Sequence, residues 1–217
     1  MKKNPENKSF VITTLLCLVP MALGLALYAR LPEQLPTHWD WQGNVNGYMS
    51  KPAVVLGLPL FFVAMNGLMH FSLRADPKRA NIIGNIRVLI RWTMPVLSLI
   101  ILPYTYLWAL GWQQIPMEKL IPVLVGLLIM GLGNYLPKCR QNYTSGIKLP
   151  WTLYDEDNWN RTHRMAGRLW MVGGLGIMVS AFWGGSTLLL AVILAITLIP
   201  GIYSYCLYRK KQKGDKS

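Results

Sequence analysis

The chain has 217 residues, 53% hydrophobic and only 14% charged, where a soluble domain is about 25% charged, and its mean hydropathy is +0.30. Its 22 Lys+Arg against 9 Asp+Glu give a net charge of +13. These figures exclude a disordered chain and a conventional soluble enzyme, and they leave two readings of the surplus charge: nucleic acid, or orientation in a bilayer.

The first apolar run covers residues 10–28 and has no charge, so it meets the length of about 20 residues that a helix needs to cross a bilayer. Lys2, Lys3 and Lys8 precede it, as in a signal peptide. The run is longer than a signal sequence of about 7–15 apolar residues, and Leu27-Tyr28-Ala29 is a poor cleavage site, so it reads as a retained span.

Residues 30–52 are too polar to be embedded and too few for a domain. Pro32 and Pro36 stiffen the start of this loop. Asn46-Gly47 signals a turn, Gly43 a second one, and residues 37–41 a short extended stretch. His38, Trp39, Trp41 and Tyr48 are its candidate contact residues. They suit either an aromatic cap on the outer leaflet or a surface that meets an extracellular molecule. With only Glu33 and Asp40 nearby, His38 is not read as a metal ligand.

The second span, 53–73, contains Asn66 and, one turn on, His70, which are expected to hydrogen-bond between helices. Asp76-Pro77 then resembles a helix start, with Asp as cap and Pro in the first turn. Ile82, Ile83, Ile86, Leu89 and Ile90 follow at helical spacing, which predicts an interfacial helix leading into the third span, 92–112. The fourth span, 120–136, is rich in glycine: Gly126, Gly131 and Gly133 allow close helix approach.

The next polar stretch ends in Asp155-Glu156-Asp157, carboxylates suited to the positive end of a helix. Trp159, His163, Ala166 and Trp170 then form one stripe, with Arg161, Arg164 and Arg168 off it. The fifth helix is therefore expected to start in water near Asp155 and run to about Trp183, its arginines at headgroup depth and its apolar stretch at 169–183. Glu156 and His163 share a face two turns apart. An acid–base pair is conceivable there, but the spacing matches no metalloenzyme motif, and the alternative is a histidine bonded to a neighbouring loop. Gly184-Gly185-Ser186 predicts a tight return into the sixth span, 187–208.

Only Arg30, Lys51 and Lys119 fall in the loops on one side of this six-span layout; the other nineteen basic residues fall on the opposite side. That asymmetry puts both termini in the cytoplasm and removes the need for nucleic acid. The fold class is therefore an all-α polytopic membrane protein with six transmembrane helices and a short extracytoplasmic first loop, in the inner (cytoplasmic) membrane. No carboxylate or lysine lies inside a span, which argues against ion-coupled transport. Cys17, Cys139 and Cys206 lie in spans or on the cytoplasmic side, so no disulfide is expected. No catalytic, cofactor-binding or metal-ligating residue is assigned, and the chain is not read as an enzyme.

Two stretches carry a family resemblance. The first is Asn142-Tyr143, Gly146-Ile147-Lys148, Pro150-Trp151-Thr152-Leu153, Trp159 and Thr162-His163, followed by Gly167. It resembles the SdpI family, named for the bacterial immunity protein against the sporulation-delaying-protein toxin. The second is Leu31-Pro32, Leu35-Pro36, His38-Trp39, Gly43, Asn46-Gly47 and Ser50-Lys51, which resembles the module of unknown function found ahead of the SdpI segment in full-length members; Asn46 replaces its usual Asp. The organisation is then an N-terminal module (1–74), a central pair of spans with the interfacial helix (75–141), and the SdpI-like motif with the C-terminal hairpin (142–217).

The resemblance implies a membrane immunity protein that protects its cell from a secreted membrane-active antimicrobial peptide. It also implies signalling, by sequestering a small cytoplasmic transcriptional repressor at the membrane. Candidate residues for that inner face are Asn142, Gly146, Lys148, Pro150, Trp151, Thr152, Trp159, Thr162, His163 and Arg164. The alternative is a small membrane transporter, or a membrane-anchored adaptor without toxin immunity. Apart from the bilayer, the toxin peptide and the repressor are the partners expected; no cofactor is.

Overall fold

The computed structural model describes residues 5–40 and 42–214. Its exterior is apolar: Phe71, Val172, Leu198 and Ile202 are all more than half exposed, whereas Thr13, Asn66, Ser98 and Ser204 are fully buried. This reversal of the soluble pattern is what a bilayer selects, because lipid solvates the outward aliphatic chains and polar groups must find partners inside. Among the described residues five helices are long and apolar enough to cross: Glu6–Ala26, Ala53–Ala75, Gly84–Ala109, Met117–Lys138 and Thr187–Lys213. The chain is a multi-pass membrane protein built as two compact units.

The first unit contains α1 (Pro5–Ala26), a β-hairpin, α2 (Leu58–Ala75) and most of α3 (Gly84–Ala109). The all-α expectation is corrected here. Strands β1 (Gln34–Trp39) and β2 (Val45–Ser50) pair antiparallel, with irregular register around His38. The extended stretch thus begins earlier than residue 37 and has a partner. Pro36 and the irregularity near His38 are tolerated because a two-stranded ribbon leaves one edge of each strand unpaired.

Leu31, Leu35, Val54, Val55, Leu102 and Tyr106 form the core beneath this hairpin. Lys51 pins its base: Nζ lies 2.9 Å from Glu33 Oε1 and donates to the Tyr28 carbonyl at 3.3 Å. Deeper in the unit, Asn66 Nδ2 donates to Thr13 and Thr14, the His70 ring meets the Thr13 hydroxyl at 3.1 Å, and Ser98 donates to the Cys17 carbonyl. The amide and imidazole thus tie helices together, as their placement predicts. Glu6, in the first turn of α1, reaches Arg91 at 3.1 Å and Arg74 at 3.7 Å.

The second unit contains residues 75–87, α4 (Met117–Tyr135) from Lys119 onward, the short α5 (Pro150–Tyr154), α6 (Glu156–Val179) and α7 (Gly185–Gly214). Helix α6 begins where the acidic turn predicts: the Asp155 carboxylate caps it by accepting from the Asp157 and Asn158 N–H groups. It passes through a π turn, Ser180–Gly184, into α7. The two run antiparallel, since Asn158 meets Ser204, Trp170 meets Ile196 and Gly176 faces Val192. On α4, Gly126 and Gly133 press against Gly174 and Gly167 of α6. A Cβ on Gly174 would lie 2.6 Å from the Gly126 carbonyl oxygen, so only glycine permits this approach.

The Asp76-Pro77 expectation is also corrected. Asp76 starts no helix; a short 3-10 turn, Arg79–Asn81, follows, and α3 begins at Gly84. One carboxylate oxygen of Asp76 caps this turn, accepting from the Lys78 N–H at 2.7 Å, and the other is engaged elsewhere, as described below.

Candidate functional site

The hairpin is closed by its acidic residue. Asp40 Oδ1 accepts from the Gln42 and Asn44 N–H groups, both at 2.9 Å, and the Asp40 N–H donates to the Asn44 carbonyl. Gly43 sits in this turn at φ +84° with its backbone against the Glu118 carboxylate. The turn therefore lies at residues 40–44, and the Asn46-Gly47 signal falls inside β2. There Asn46 Oδ1 meets His38 Nδ1, and a Cβ on Gly47 would strike that of His38 at 2.8 Å.

The three described hairpin candidates differ in exposure. His38 and Tyr48 are exposed. Trp39 is half-buried, edge-on to Tyr104 and Trp108 of α3 with ring centroids 6.4 and 6.0 Å away, and its indole N–H has no partner among the described residues. Trp41 lies outside the described residues.

The second site is a knot of loop around the start of α6. Asn142, fully buried, is its organiser. Its Oδ1 accepts from the Thr144 and Ser145 N–H groups, and its Nδ2 donates to the Arg140 carbonyl. Asp76 clamps the outside of the same turn, accepting from the Tyr143 N–H at 2.9 Å and the Thr144 hydroxyl at 2.7 Å. Burial opposes the Asp76 charge, yet the Thr144 hydroxyl and the Lys78, Tyr143 and Thr144 N–H groups hold its carboxyl below the ordinary carboxylate range.

Gly146 follows at φ +112°, a conformation in which a side chain is strained, and its Cα faces the stacked Trp159 and His163 rings. The two rings lie 4.0 Å apart at 21°. His163 Nδ1 donates to the Trp159 carbonyl at 2.7 Å, and Nε2 accepts from the Ile147 N–H at 2.9 Å. Trp159 Nε1 donates to the Cys139 carbonyl. His163 precedes the apolar stretch of α6; burial pushes its pKa down to about 4, against the opposing pull of the Trp159 carbonyl. Both ring nitrogens are thus occupied, Nε2 by the loop and Nδ1 by the preceding turn of α6, and Glu156 stands exposed in the first turn of α6 rather than against the imidazole.

Pro150 opens α5, and Thr152 caps it. The Leu149 N–H donates to Thr152 Oγ1, whose hydroxyl donates to the Ile147 carbonyl. Trp151 stacks on Tyr208 and donates its indole N–H to Ser204 Oγ at 2.7 Å. Ser204 in turn donates to Asn158 Oδ1, which also accepts from the Thr162 hydroxyl, while Asn158 Nδ2 donates to the Ser204 carbonyl.

Nine of the ten predicted inner-face residues belong to this knot, with Lys148 on its rim donating to the Tyr143 and Thr144 carbonyls. Arg164 does not; it points out from another face of α6 beside Arg161 and Arg168. Sequence reasoning passed over Asp76, Asn158 and Ser204 as members. The available signals were a polar residue one turn before Thr162, and a lone serine in the sixth span. Among the described residues, no group of three His, Cys, Asp or Glu side chains converges to hold a metal.

Residues 138–204 match the SdpI/YfhL protein family, and residues 15–63 match a domain of unknown function, DUF1648. The chain is 28% identical over 221 residues to the immunity protein SdpI of Bacillus subtilis (strain 168), covering 97% of this chain and 98% of that protein. No solved structure matches.

Proposed function

From a chain that carries an SdpI/YfhL family segment behind a DUF1648 module, we propose a membrane immunity protein that protects its cell from a secreted, membrane-active antimicrobial peptide. The observation that carries this reading is the likeness to an immunity protein over nearly the whole of both chains, hairpin and knot included. In this reading the chain sits in the cytoplasmic membrane, with α6 as a sixth span and the hairpin outside. His38 and Tyr48, exposed on the hairpin, offer a polar and aromatic surface to the peptide. The knot orders the inner face, where a small repressor would be held, and no catalytic step is involved.

Expression in a strain sensitive to such peptides tests the proposal. Raised survival is expected. Unchanged killing by every peptide tried, with the protein present in the membrane fraction, would overturn it.

A further inference from the structure

Arg161, Arg164 and Arg168 recur at spacings of three and four along α6, so they share one face opposite the buried stripe. They line a groove of about 730 Å3 whose apolar end is formed by Leu169 and Val172, with Tyr203 of α7 on its side. Arg161 has a counter-ion, Asp157, at 3.6 Å. Arg164 and Arg168 have no ion-pair partner among the described residues. Beyond them the surface changes abruptly: Val172 is 71% exposed. The groove thus joins two unpaired guanidinium groups to an open aliphatic track within about two helical turns.

We propose that this groove binds an anionic phospholipid, with the headgroup phosphate on Arg164 and Arg168 and an acyl chain along Leu169 and Val172. Guanidinium favours phosphate because its planar fork presents paired donors to paired oxygens. A free phosphate would use only the basic end. A choline lipid would bring a cation into the same basic field. An anionic lipid satisfies both ends, and the position of the arginines just before the apolar stretch of α6 sets them at headgroup depth. This inference stands whether or not the immunity reading holds.

The test is native mass spectrometry of the detergent-purified full chain, titrated with phosphatidylglycerol or phosphatidylcholine. Phosphatidylglycerol is expected to bind at least about tenfold more tightly. R164Q/R168Q should weaken it by roughly twenty-five-fold, about fivefold for each lost charge. R209Q/K210Q removes the same charge from exposed positions near the end of α7 and should leave binding unchanged. Both arginines are exposed, so the fold should survive; should the double variant melt early, the single variants R164Q and R168Q carry the test at fivefold each. Equal affinity for the two lipids, an equal loss in R209Q/K210Q, or displacement of the lipid by millimolar inorganic phosphate would each overturn the proposal.

Discussion

At the scale of single residues, the knot depends on one protonation state of His163. Its Nε2 accepts from the Ile147 N–H, so that nitrogen must be bare, and Nδ1 must carry the proton it donates to the Trp159 carbonyl. Protonation of Nε2 would set two donors against each other at the buried ring. The folded pKa, near 4, lies below the ordinary 6.5, so the unfolded chain binds the proton first. Stability is therefore fully present above pH 6.5 and is lost as pH falls from there towards 4, by at most about 3 kcal/mol. Asp76 and Asp155, held below the ordinary carboxylate range, lose their contributions only at still lower pH. Thermal melting between pH 7.5 and 4.5 should show the wild type losing stability faster than H163Q, which keeps an acceptor and does not titrate. Parallel slopes would show that His163 is not the sensitive group. The family resemblance names Gly146 and His163 as separate identities. Their mutual dependence, a positive-φ backbone laid against the ring stack, requires the loop to be folded first.

At the scale of elements, three helices meet at a polar junction: α5 through Trp151, α6 through Asn158 and Thr162, and α7 through Ser204. Asn158 and Ser204 each serve two partners, so deleting one leaves the other's donors or acceptors unmet in a buried place. N158A and S204A should therefore be non-additive in a double-mutant cycle read by thermal unfolding, with a coupling of about 0.5–2 kcal/mol. Simple additivity would mean that the junction is incidental. Helix existence, the start of α6 near Asp155 and the glycines that allow close helix approach were legible in the sequence because each rests on local spacing or residue size. The hairpin turn and Asp76 were not. Asn46-Gly47 carries a turn signal, but the turn forms at Asp40 and Asn46 meets His38 across the ribbon; Asp76-Pro77 opens only a short 3-10 turn, and its second carboxylate oxygen goes to Tyr143 and Thr144, remote in sequence. The knot was legible as a motif and not as a geometry, since its contacts link residues 76, 142, 163 and 204.

At the scale of the whole molecule, the surplus of charge bears most directly on orientation. Among the described residues five helices qualify as spans by length and composition, and α6 is not one of them: its N-terminal part carries Glu156, Asp157, Arg161, His163, Arg164 and Arg168. If α6 were not a span, the ends of the chain would lie on opposite sides of the membrane, and the basic residues would mix across it. With α6 counted, Arg30, Lys51 and Lys119 stand alone on one face against nineteen on the other. So large a bias is what positive loops retained in the cytoplasm produce. The knot fits the same count: its capped, water-requiring helix start, with Asp155 paired to Lys211 of α7, places the polar ends of α6 and α7 on one side. A fluorescent reporter that matures only in the cytoplasm should therefore be bright when fused after residue 214, and dark when inserted between α3 and α4, near residue 113. A bright signal at residue 113, or a dark one at the C-terminal fusion, would require an inverted orientation or a different number of spans, and would move the hairpin or the knot to a face other than the one on which the immunity reading depends.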